Sequence, residues 1–306
     1  MMISVLIPTF NRVDQLRECI NSLKKQTLES QEYEIIIVDD GSSDQTPELG
    51  QSFSVSSEGH IRYFRQTNQG PAAARNFGIQ NAKGEVVAFI DDDCRAERNW
   101  LEELVKGYSD PKVGGTGGRI ISPLKETLAD RYCFHVGLLE TPKMKEDRVE
   151  YVITANASFR KKAVLEIGGF DEHFVFPGGE DPDISYRLTQ SGYRLIYNPF
   201  AIVNHYHPRS LNTLRKTFFN YGMGWAILLS KEKKGLPTVV YHFLSITLVF
   251  LLAIKNTPGY FKAVGGLQGL AFGFFDFYIR AVYRIGLVFG YVRYRRILAQ
   301  KGDLRL

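Results

Sequence analysis

Short apolar runs recur along the first third of the chain, and each is followed by a polar or helical stretch. Strands are predicted at 3–10, 33–40, 60–64 and 86–90. One helix is predicted from Asn11 or Arg12 to about Lys25, and an Ala-rich helix is predicted to begin at Gly70-Pro71. Strands that alternate with helices favour a mostly parallel sheet with right-handed crossovers. The N-terminal part is therefore predicted to be α/β.

The pattern is weaker in the middle of the chain. Residues 95–104, which follow three consecutive aspartates, look helical. Residues 110–118 contain four glycines and are predicted to be a flexible turn that leads into a short strand at 119–121. A phosphate-binding loop is the alternative, but the segment lacks the Lys-Ser/Thr pair of such loops. Further strands are predicted at 151–160 and 193–199.

Aspartates follow two of the predicted strands at the point where each strand ends. Asp39 and Asp40 close the second strand, and Asp91, Asp92 and Asp93 close the fourth. Parallel strands place their carboxyl ends at one edge of a sheet, where open α/β sheets bind ligands. Crowded carboxylates repel one another unless a cation lies between them, and hard divalent cations prefer carboxylate oxygens. The acids therefore indicate a metal-diphosphate site, with Asp91 and Asp93 as candidate ligands.

Simpler interpretations compete with this site. Three acids in front of a helix can serve as its N-cap, and a single acidic pair can reflect loop polarity. In the binding-site interpretation, Asp39 or Asp40 would bond a nucleobase or a ribose hydroxyl. Arg75, in the Ala-rich helix, would reach the diphosphate. A solvated helix face is the alternative for Arg75.

Four segments together carry a resemblance to a known enzyme family. They are Pro8-Thr9-Phe10-Asn11-Arg12, Val38-Asp39-Asp40-Gly41-Ser42-Ser43-Asp44, Asn68-Gln69-Gly70-Pro71-Ala72-Ala73-Ala74-Arg75-Asn76 and Asp91-Asp92-Asp93. In order and spacing the segments resemble the family 2 glycosyltransferases, which are inverting enzymes of GT-A fold that use nucleotide-diphosphate sugars. The resemblance covers residues 1–208 and implies a GT-A-like, mostly parallel sheet flanked by helices.

The resemblance also implies roles for individual positions. Nucleotide-sugar contacts would come from Pro8, Thr9, Asp39, Asp40, Arg75 and Asp92. Asp91 and Asp93 would hold Mg²⁺ or Mn²⁺. The fourth position of the acidic motif is often Asp in the family and is Cys94 here. Because Asp91 and Asp93, the first and third acids of the motif, are present, metal binding is expected to be retained.

A second acidic segment, Glu180-Asp181-Pro182, follows two glycines and leads into a predicted helix. Pro182 suits the first helical turn, which makes Asp181 a natural N-cap. Inverting sugar transfer, however, needs a carboxylate that takes the proton of the acceptor hydroxyl. The resemblance implies that Asp181 is this base and that Glu180 and Asn156 contact the acceptor or the sugar.

Two histidines follow a predicted strand near residue 203. His205 and His207 alternate, so a strand would place both imidazoles on one face. In some members of the family that the chain resembles, a histidine at this place completes the set of metal ligands. His205 is the favoured candidate for this role. A hydrogen bond within the fold is the alternative.

The charge of the 306-residue chain is unevenly distributed. Residues 1–208 carry 23 Lys/Arg against 30 Asp/Glu, whereas residues 209–306 carry 15 against 3. The basic tail indicates an anionic membrane surface as its binding partner. Nucleic acid is less favoured, because long uncharged runs separate the charges of the tail. The predicted organisation is a catalytic domain at 1–208 and a hydrophobic, basic helical membrane-associating tail at 209–306. Three widely spaced cysteines form no disulfide or zinc pattern, and no signal peptide is expected.

The tail contains twenty uncharged residues at 235–254, which is long enough to span a bilayer. A single span would leave nine Lys/Arg on the far side, against the positive-inside rule. Asp276, Arg280 and Arg284 lie four residues apart and would form the polar stripe of an interfacial helix. Monotopic attachment is therefore favoured over one or two spans. A soluble helical subdomain or a dimer interface is the alternative.

Together these features predict a metal-dependent inverting glycosyltransferase on the cytoplasmic face of the cell membrane. The donor would be a nucleotide-diphosphate sugar, with a UDP-sugar favoured. The acceptor would be a saccharide, with a lipid-linked one favoured by the tail, as in surface polysaccharide assembly. No nucleic acid partner is expected. A homo-oligomer could form through the C-terminal helices.

Two other functions stay open on the sequence alone. A sugar-phosphate nucleotidyltransferase would have the same α/β organisation and the same metal dependence, but it would require a basic, Gly-rich loop after the first strand. The chain has Pro8-Thr9-Phe10-Asn11 there. The other alternative is a membrane scaffold that binds a nucleotide sugar without catalysis.

Overall fold

The computed structural model of the chain describes residues 1–57, 59–123, 127–139, 144–145, 148–206, 210–231, 237, 240–241, 251, 254–256, 258–262 and 265–300. The chain divides into two compact units. The first unit comprises Met1–Glu126, Cys133–Val175 and Glu180–His207, and the second comprises Thr127–Tyr132, Phe176–Gly179 and Pro208–Leu306.

A ten-stranded mixed sheet forms the centre of the first unit. Its strands are β1 (Ile3–Thr9), β2 (Tyr33–Asp39), β3 (Ile61–Arg65), β4 (Val86–Ile90), β5 (Cys94–Ala96), β6 (Val113–Ile121), β7 (Met144–Lys145), β8 (Arg148–Val149), β9 (Asn156–Arg160) and β10 (Arg194–His205). The strand order is β3-β2-β1-β4-β9-β6-β10-β8-β7, and β5 pairs with β10. Strands β1 to β4 pair in parallel, as do β6 and β10, and the other pairs are antiparallel.

Helices alternate with the first strands, which confirms the predicted α/β organisation. The helices are α1 (Val13–Leu23), α2 (Thr46–Ser56), α3 (Pro71–Asn81), α4 (Trp100–Val105), α5 (Leu128–His135), α6 (Lys161–Glu166), α7 (Glu180–Gln190), α8 (Leu211–Lys231) and α9 (Gly266–Gln300). Strands β2 and β4 are buried at every position. A strand covered on both faces needs apolar residues throughout, which is why these strands appear as continuous apolar runs in the sequence.

The four glycines lie in strand β6, so the prediction of a flexible turn at 110–118 is wrong over 113–118, whereas residues 110–112 do form a turn. Its glycines make room for side chains of neighbouring strands. A Cβ on Gly115 would lie 2.7 Å from Phe159 Cδ1, and a Cβ on Gly118 would lie 2.3 Å from the carbonyl oxygen of Ala201. Close packing therefore requires glycine at these strand positions.

The helix after the three aspartates begins later than predicted. Residues Cys94–Ala96 form β5, which pairs with β10 so that Cys94 lies opposite His205. The helix itself covers Trp100–Val105, so the prediction of helix over 95–104 is wrong for its first residues. The backbone of β5 bonds to a strand that is distant in the sequence, and local periodicity carries no information about such a partner.

In the second unit, helices α8 and α9 approach each other closely through glycines. A Cβ on Gly222 would lie 2.1 Å from the carbonyl oxygen of Tyr283, and a Cβ on Gly286 would lie 2.2 Å from that of Phe219. Small residues let helix backbones pack at short distance.

Asp276 is fully buried in the second unit, so the predicted exposed polar stripe on α9 is wrong at this residue. Its Oδ1 accepts hydrogen bonds from the Tyr132 hydroxyl at 2.8 Å and from Arg280 Nε at 2.7 Å. The carboxylate is buried because it is paired with a cation and a hydroxyl donor.

Within the described part of the chain, no helix combines the length and the apolar composition that crossing a bilayer requires. Most of 235–254, the segment considered for a span, lies outside the described residues.

Candidate active site

The carboxyl ends of β1, β2 and β4 bring both predicted acidic clusters to one edge of the sheet. Thr9, the last residue of β1, is in register with Asp39, the last residue of β2, and the half-buried Pro8 precedes it. Strand β4 ends at Ile90, directly before Asp91–Asp93. The acids share this edge, but each has a different environment.

Asp92 is bonded to the loop that follows β1. Its Oδ2 accepts a hydrogen bond from Thr9 Oγ1 at 2.8 Å, and its Oδ1 accepts one from Arg12 Nη1 at 3.1 Å. Arg12 also donates to Asp93. Burial raises the pKa of Asp92, and the Arg12 charge opposes this rise. Thr9 and Asp92, two predicted nucleotide-sugar contacts, therefore bond each other beside a cation.

The side chains of Asp39 and Asp40 are buried and accept hydrogen bonds from the protein itself. Asp39 accepts from the Ser42 N–H at 2.8 Å and from the Tyr63 hydroxyl at 2.7 Å. Asp40 accepts from the Gly70 N–H at 2.8 Å, directly before α3. These bonds hold the loop after β2 and the loop before α3. The predicted contacts of both acids with the nucleotide stay predictions.

Arg75 joins two acidic segments that are far apart in the sequence. Its side chain is 5% exposed, so the alternative of a solvated helix face is wrong. Nη2 lies 3.3 Å from Asp91 Oδ1, and Nη1 lies 3.3 Å from Glu180 Oε1. Burial disfavours the Arg75 charge, but Asp91, Asp181 and Glu180 together raise the pKa of Arg75 above its ordinary value. Arg75 is therefore a buried cation between acids.

Asp181 lies inside the first turn of α7, which begins at Glu180. Its carboxylate accepts hydrogen bonds from the Thr154 N–H at 3.1 Å and from the Thr154 hydroxyl at 2.8 Å. Burial raises the pKa of Asp181, while the Arg75 charge and the Thr154 donors oppose the rise. A carboxylate with a raised pKa is a stronger base, which suits proton transfer.

Asp93, Cys94 and His205 form a cluster of possible metal ligands. His205 Nε2 lies 3.3 Å from Asp93 Oδ1, and Cys94 Sγ lies 4.0 Å from the same oxygen. One ligand atom from each of the three residues lies within 4.8 Å of the others. Asp91 bonds Arg75 instead and is not part of this cluster. A carboxylate and an imidazole fit a divalent cation, because both donate to such ions.

Asn156, a predicted contact of the acceptor, has a structural role in the sheet. Its side chain is buried, and its Oδ1 accepts a hydrogen bond from Trp100 Nε1 at 2.8 Å. Its Nδ2 donates to the carbonyl oxygens of Arg119 and Ala201, at 2.9 Å each. These bonds hold the amide inside the fold, and the predicted contact of Asn156 with the acceptor stays a prediction.

Two residues of the site have no role in the sequence analysis. Arg12 belongs to the Pro8–Arg12 segment that carries the resemblance, so its position was a usable signal. Thr154 lies in a weak strand pattern and is identified as a partner of Asp181 by the tertiary structure alone.

Solved structures with a similar fold include a mannosyltransferase from Pyrobaculum calidifontis, with a TM-score of 0.68 and 18% identity. That comparison covers 95% of this chain and 86% of the mannosyltransferase chain. TarS of S. aureus has a TM-score of 0.57 at 19% identity, over 94% of this chain and 55% of that chain. The fold is therefore that of the GT-A class of glycosyltransferases.

The sequence comparisons identify the family. The model described as "Glycosyl transferase family 2" matches residues 4–168, and "N-terminal domain of galactosyltransferase" matches residues 138–210. Glycosyltransferase AglE of Haloferax volcanii is 31% identical over 253 residues, which is 81% of each protein. The chain belongs to glycosyl transferase family 2, which confirms the predicted family and the predicted enzyme class.

A second relative is longer than this chain. The pre-mycofactocin glycosyltransferase of Mycobacterium tuberculosis is 33% identical over 247 residues. The match covers 78% of this chain and 50% of that protein, so the chain spans about half the length of this relative.

Proposed function

We propose that the chain transfers a sugar, with inversion at the anomeric carbon, from a nucleotide-diphosphate sugar to a hydroxyl group of a saccharide, in a metal-dependent reaction. The observation that carries the proposal is the Arg75 bridge. Arg75 joins Asp91, at the end of β4, to Glu180, the residue before Asp181. A candidate metal and diphosphate site and a candidate base therefore lie on either side of one buried cation.

Asp93 and His205 are the residues that would hold the metal, with Asp91 as a further candidate. A divalent cation bound there neutralises the charge that develops on the departing diphosphate. Mn²⁺ is favoured over Mg²⁺, because imidazole is a softer ligand than Mg²⁺ prefers. The Pyrobaculum mannosyltransferase was solved with GDP-Man and Mn²⁺, and GalNAc-T7 was solved with UDP, GalNAc and Mn²⁺, which supports this proposal.

Asp181 acts as the general base. Its carboxylate takes the proton of the acceptor hydroxyl while that oxygen attacks the anomeric carbon. The two hydrogen bonds from Thr154 orient the carboxylate, and its burial increases its basicity. Glu180 contacts the transferred sugar from the same helix turn and holds Arg75 in place.

The nucleotide sugar binds along the loops that follow β1 and β2. Arg75 Nε is buried and has no hydrogen-bond partner among the described residues. Pro8, Thr9 and Asp92 line the same edge, and Asp39 and Asp40 shape the loops that receive the base and the ribose. A UDP-sugar is the first donor to test in a screen of sugar nucleotides with Mn²⁺.

The Asp181→Asn variant tests the proposal. Sugar transfer should fall by roughly a hundredfold or more, because the amide cannot accept the proton. Calorimetric binding of the nucleotide with Mn²⁺ should persist, because Asp181 is not one of the three residues of the ligand cluster. The control is Asp110→Asn, the same change at a residue paired with Arg194 outside the site. Unchanged transfer in Asp181→Asn would refute Asp181 as the base. A wild type that binds nucleotide with Mn²⁺ but transfers no sugar would favour the non-catalytic scaffold.

The second unit supports a membrane-bound acceptor. Six large apolar side chains on α9 are exposed at helical spacing and form one face: Leu270, Phe274, Tyr278, Ile285, Phe289 and Val292. The exposed Arg293 and Arg296 continue the same face. Such a face binds an anionic membrane surface. We therefore propose that residues 209–306 hold the catalytic domain 1–208 at the cytoplasmic face, where it acts on a lipid-linked saccharide.

A further inference from the structure

Cys94 and His205 are neighbours because of the register between two strands. They lie opposite each other in the antiparallel pair of β5 and β10. The pairing continues one residue further, since the Tyr206 N–H donates to the carbonyl oxygen of Asp93 at 2.9 Å. Side chains of directly opposed residues lie on the same face of the sheet and within contact distance. The ladder therefore places a thiol and an imidazole side by side.

The distances within this cluster are short enough for one cation. Asp93 Oδ1 is 3.3 Å from His205 Nε2 and 4.0 Å from Cys94 Sγ, and all three ligand atoms fall within 4.8 Å. In a tetrahedral site, bond lengths near 2.0 Å for nitrogen and 2.3 Å for sulfur place these two atoms about 3.5 Å apart.

The chemistry of these three ligands differs from that of a site built on carboxylates alone. Mg²⁺ prefers oxygen ligands and does not recruit a thiolate. A set of one sulfur, one nitrogen and one oxygen suits softer cations that accept tetrahedral geometry, such as Zn²⁺, Co²⁺ and Cd²⁺. Asp93 and His205 serve either kind of cation, so Cys94 is the residue that distinguishes them.

We propose that Cys94 is a third protein ligand of the metal site and makes it selective for soft divalent cations, so that Zn²⁺ displaces Mn²⁺ there. The proposal rests on the proposed function, in which Asp93 and His205 hold the cation. On binding, the Sγ–H bond breaks, an Sγ–metal bond forms and the proton passes to the buffer, without any change of oxidation state.

The competing explanation is that Cys94 is a core residue. It is fully buried and belongs to an apolar cluster that includes Cys19 and Trp100. Free cysteine often packs in this way as a small apolar side chain. The two explanations differ in one observable, which is whether sulfur enters the coordination shell of the bound metal.

Co²⁺ titration of the purified full chain, followed by optical absorption, makes that measurement. The wild type should show a sulfur-to-cobalt charge-transfer band in the near ultraviolet together with the intense visible bands of tetrahedral Co²⁺. Cys94→Ser and Cys94→Ala should lose the charge-transfer band. Cys19→Ser, a second buried thiol near the aspartates, and Cys133→Ser, in helix α5, should keep it. Loss of the band in Cys19→Ser instead of Cys94→Ser would overturn the assignment.

Calorimetry with Cd²⁺ and Mn²⁺ gives a second, quantitative test. Cys94→Ser should weaken Cd²⁺ binding by roughly tenfold or more and leave Mn²⁺ binding within about threefold. Wild-type protein should also release one more proton with Cd²⁺ than with Mn²⁺, which needs no variant. Equal losses for both metals, or equal proton release, would overturn the proposal.

The outcomes separate this inference from the proposed function. If Co²⁺ binds without a charge-transfer band and His205→Ala abolishes the binding, the metal site is supported and the role of Cys94 as a ligand is refuted. If neither Co²⁺ nor Mn²⁺ binds the wild type in the presence of nucleotide, the proposed metal dependence of the reaction is refuted as well.

Discussion

Arg75 shows how one residue sets the charge of a whole site. Its guanidinium is buried among Asp91, Glu180 and Asp181, three carboxyl groups that would otherwise repel one another. A buried charge is tolerated when it is paired, and removing one partner leaves the others uncompensated at a cost of about 3–5 kcal/mol. Arg75 therefore keeps Asp181 ionised more readily than burial alone would allow.

This residue-scale balance predicts a pH dependence. The base must be ionised to take a proton, so kcat/KM should fall as pH drops through the pKa of Asp181, which burial raises above its ordinary value. Arg75→Gln removes a charge that lowers this pKa, so the acid limb should move to higher pH by roughly one unit.

The control for this shift is Arg75→Lys. It keeps the charge, and its acid limb should stay close to that of the wild type while the overall rate falls. A pH–rate profile of each protein, at saturating Mn²⁺, makes the comparison. Acid limbs that coincide in wild type and Arg75→Gln would refute the electrostatic link between Arg75 and Asp181.

At the scale of elements, the parallel strands are joined by a buried carboxylate at the end opposite to the site. Glu34, the second residue of β2, accepts hydrogen bonds from Ser4 Oγ in β1 at 2.7 Å and from Arg62 Nη1 in β3 at 2.9 Å. It also accepts from the Lys83 N–H, just before β4, at 2.6 Å. Burial by itself would raise the pKa of Glu34, but these donors lower it below its ordinary value. One side chain thus links β1, β2 and β3 to the segment that precedes β4.

Replacement of Glu34 by Gln should lower the free energy of unfolding by about 1–3 kcal/mol at neutral pH, because charged hydrogen bonds become weaker neutral ones. The folded-state pKa is lowered, so this contribution is complete above the unfolded value near 4.3 and is lost as pH falls through the folded value. Denaturant unfolding at several pH values measures it. In acid, the free energies of unfolding of wild type and Glu34→Gln should therefore become equal. Ser52→Ala in α2 is a control whose difference from the wild type should not change with pH. A difference between wild type and Glu34→Gln that persists in acid would contradict the prediction.

At the scale of the whole molecule, the two parts of the chain differ in charge. Residues 1–208 have an excess of acids, and residues 209–306 have an excess of bases. The exposed apolar face of α9 lies in the basic part and ends in Arg293 and Arg296. Apolar contact and charge would both favour binding to an anionic bilayer, and each exposed ring on this face would add to the binding energy.

The double variant Phe274→Ser, Phe289→Ser should therefore bind anionic vesicles about tenfold more weakly or worse, since it removes two rings from the apolar face. Vesicle flotation measures the bound fraction. The matched control is Val55→Ser, because Val55 is an exposed apolar residue of the first unit. Equal binding to neutral and anionic vesicles would contradict the contribution of charge, and a double variant that binds like the wild type would contradict the role of the apolar face. Sedimentation of the wild type without lipid tests whether the face instead joins two copies.

The local sequence pattern determined the first four strands, helices α1 and α3, and the position of the acids. Apolar runs and strand-terminal aspartates are local signals, because burial on both faces and ligand binding at strand ends impose them on short segments. The order of four such segments was enough to indicate the family.

The tertiary structure decided how residues distant in the sequence meet. Arg75 and Glu180 are 105 positions apart, and Cys94 meets His205 through a strand pair that no local period announces. The glycines of β6 and the burial of Asp276 are likewise consequences of neighbouring side chains. Sequence periodicity reports which face of an element is buried, whereas the partner across that face is set by packing, which only the complete fold defines.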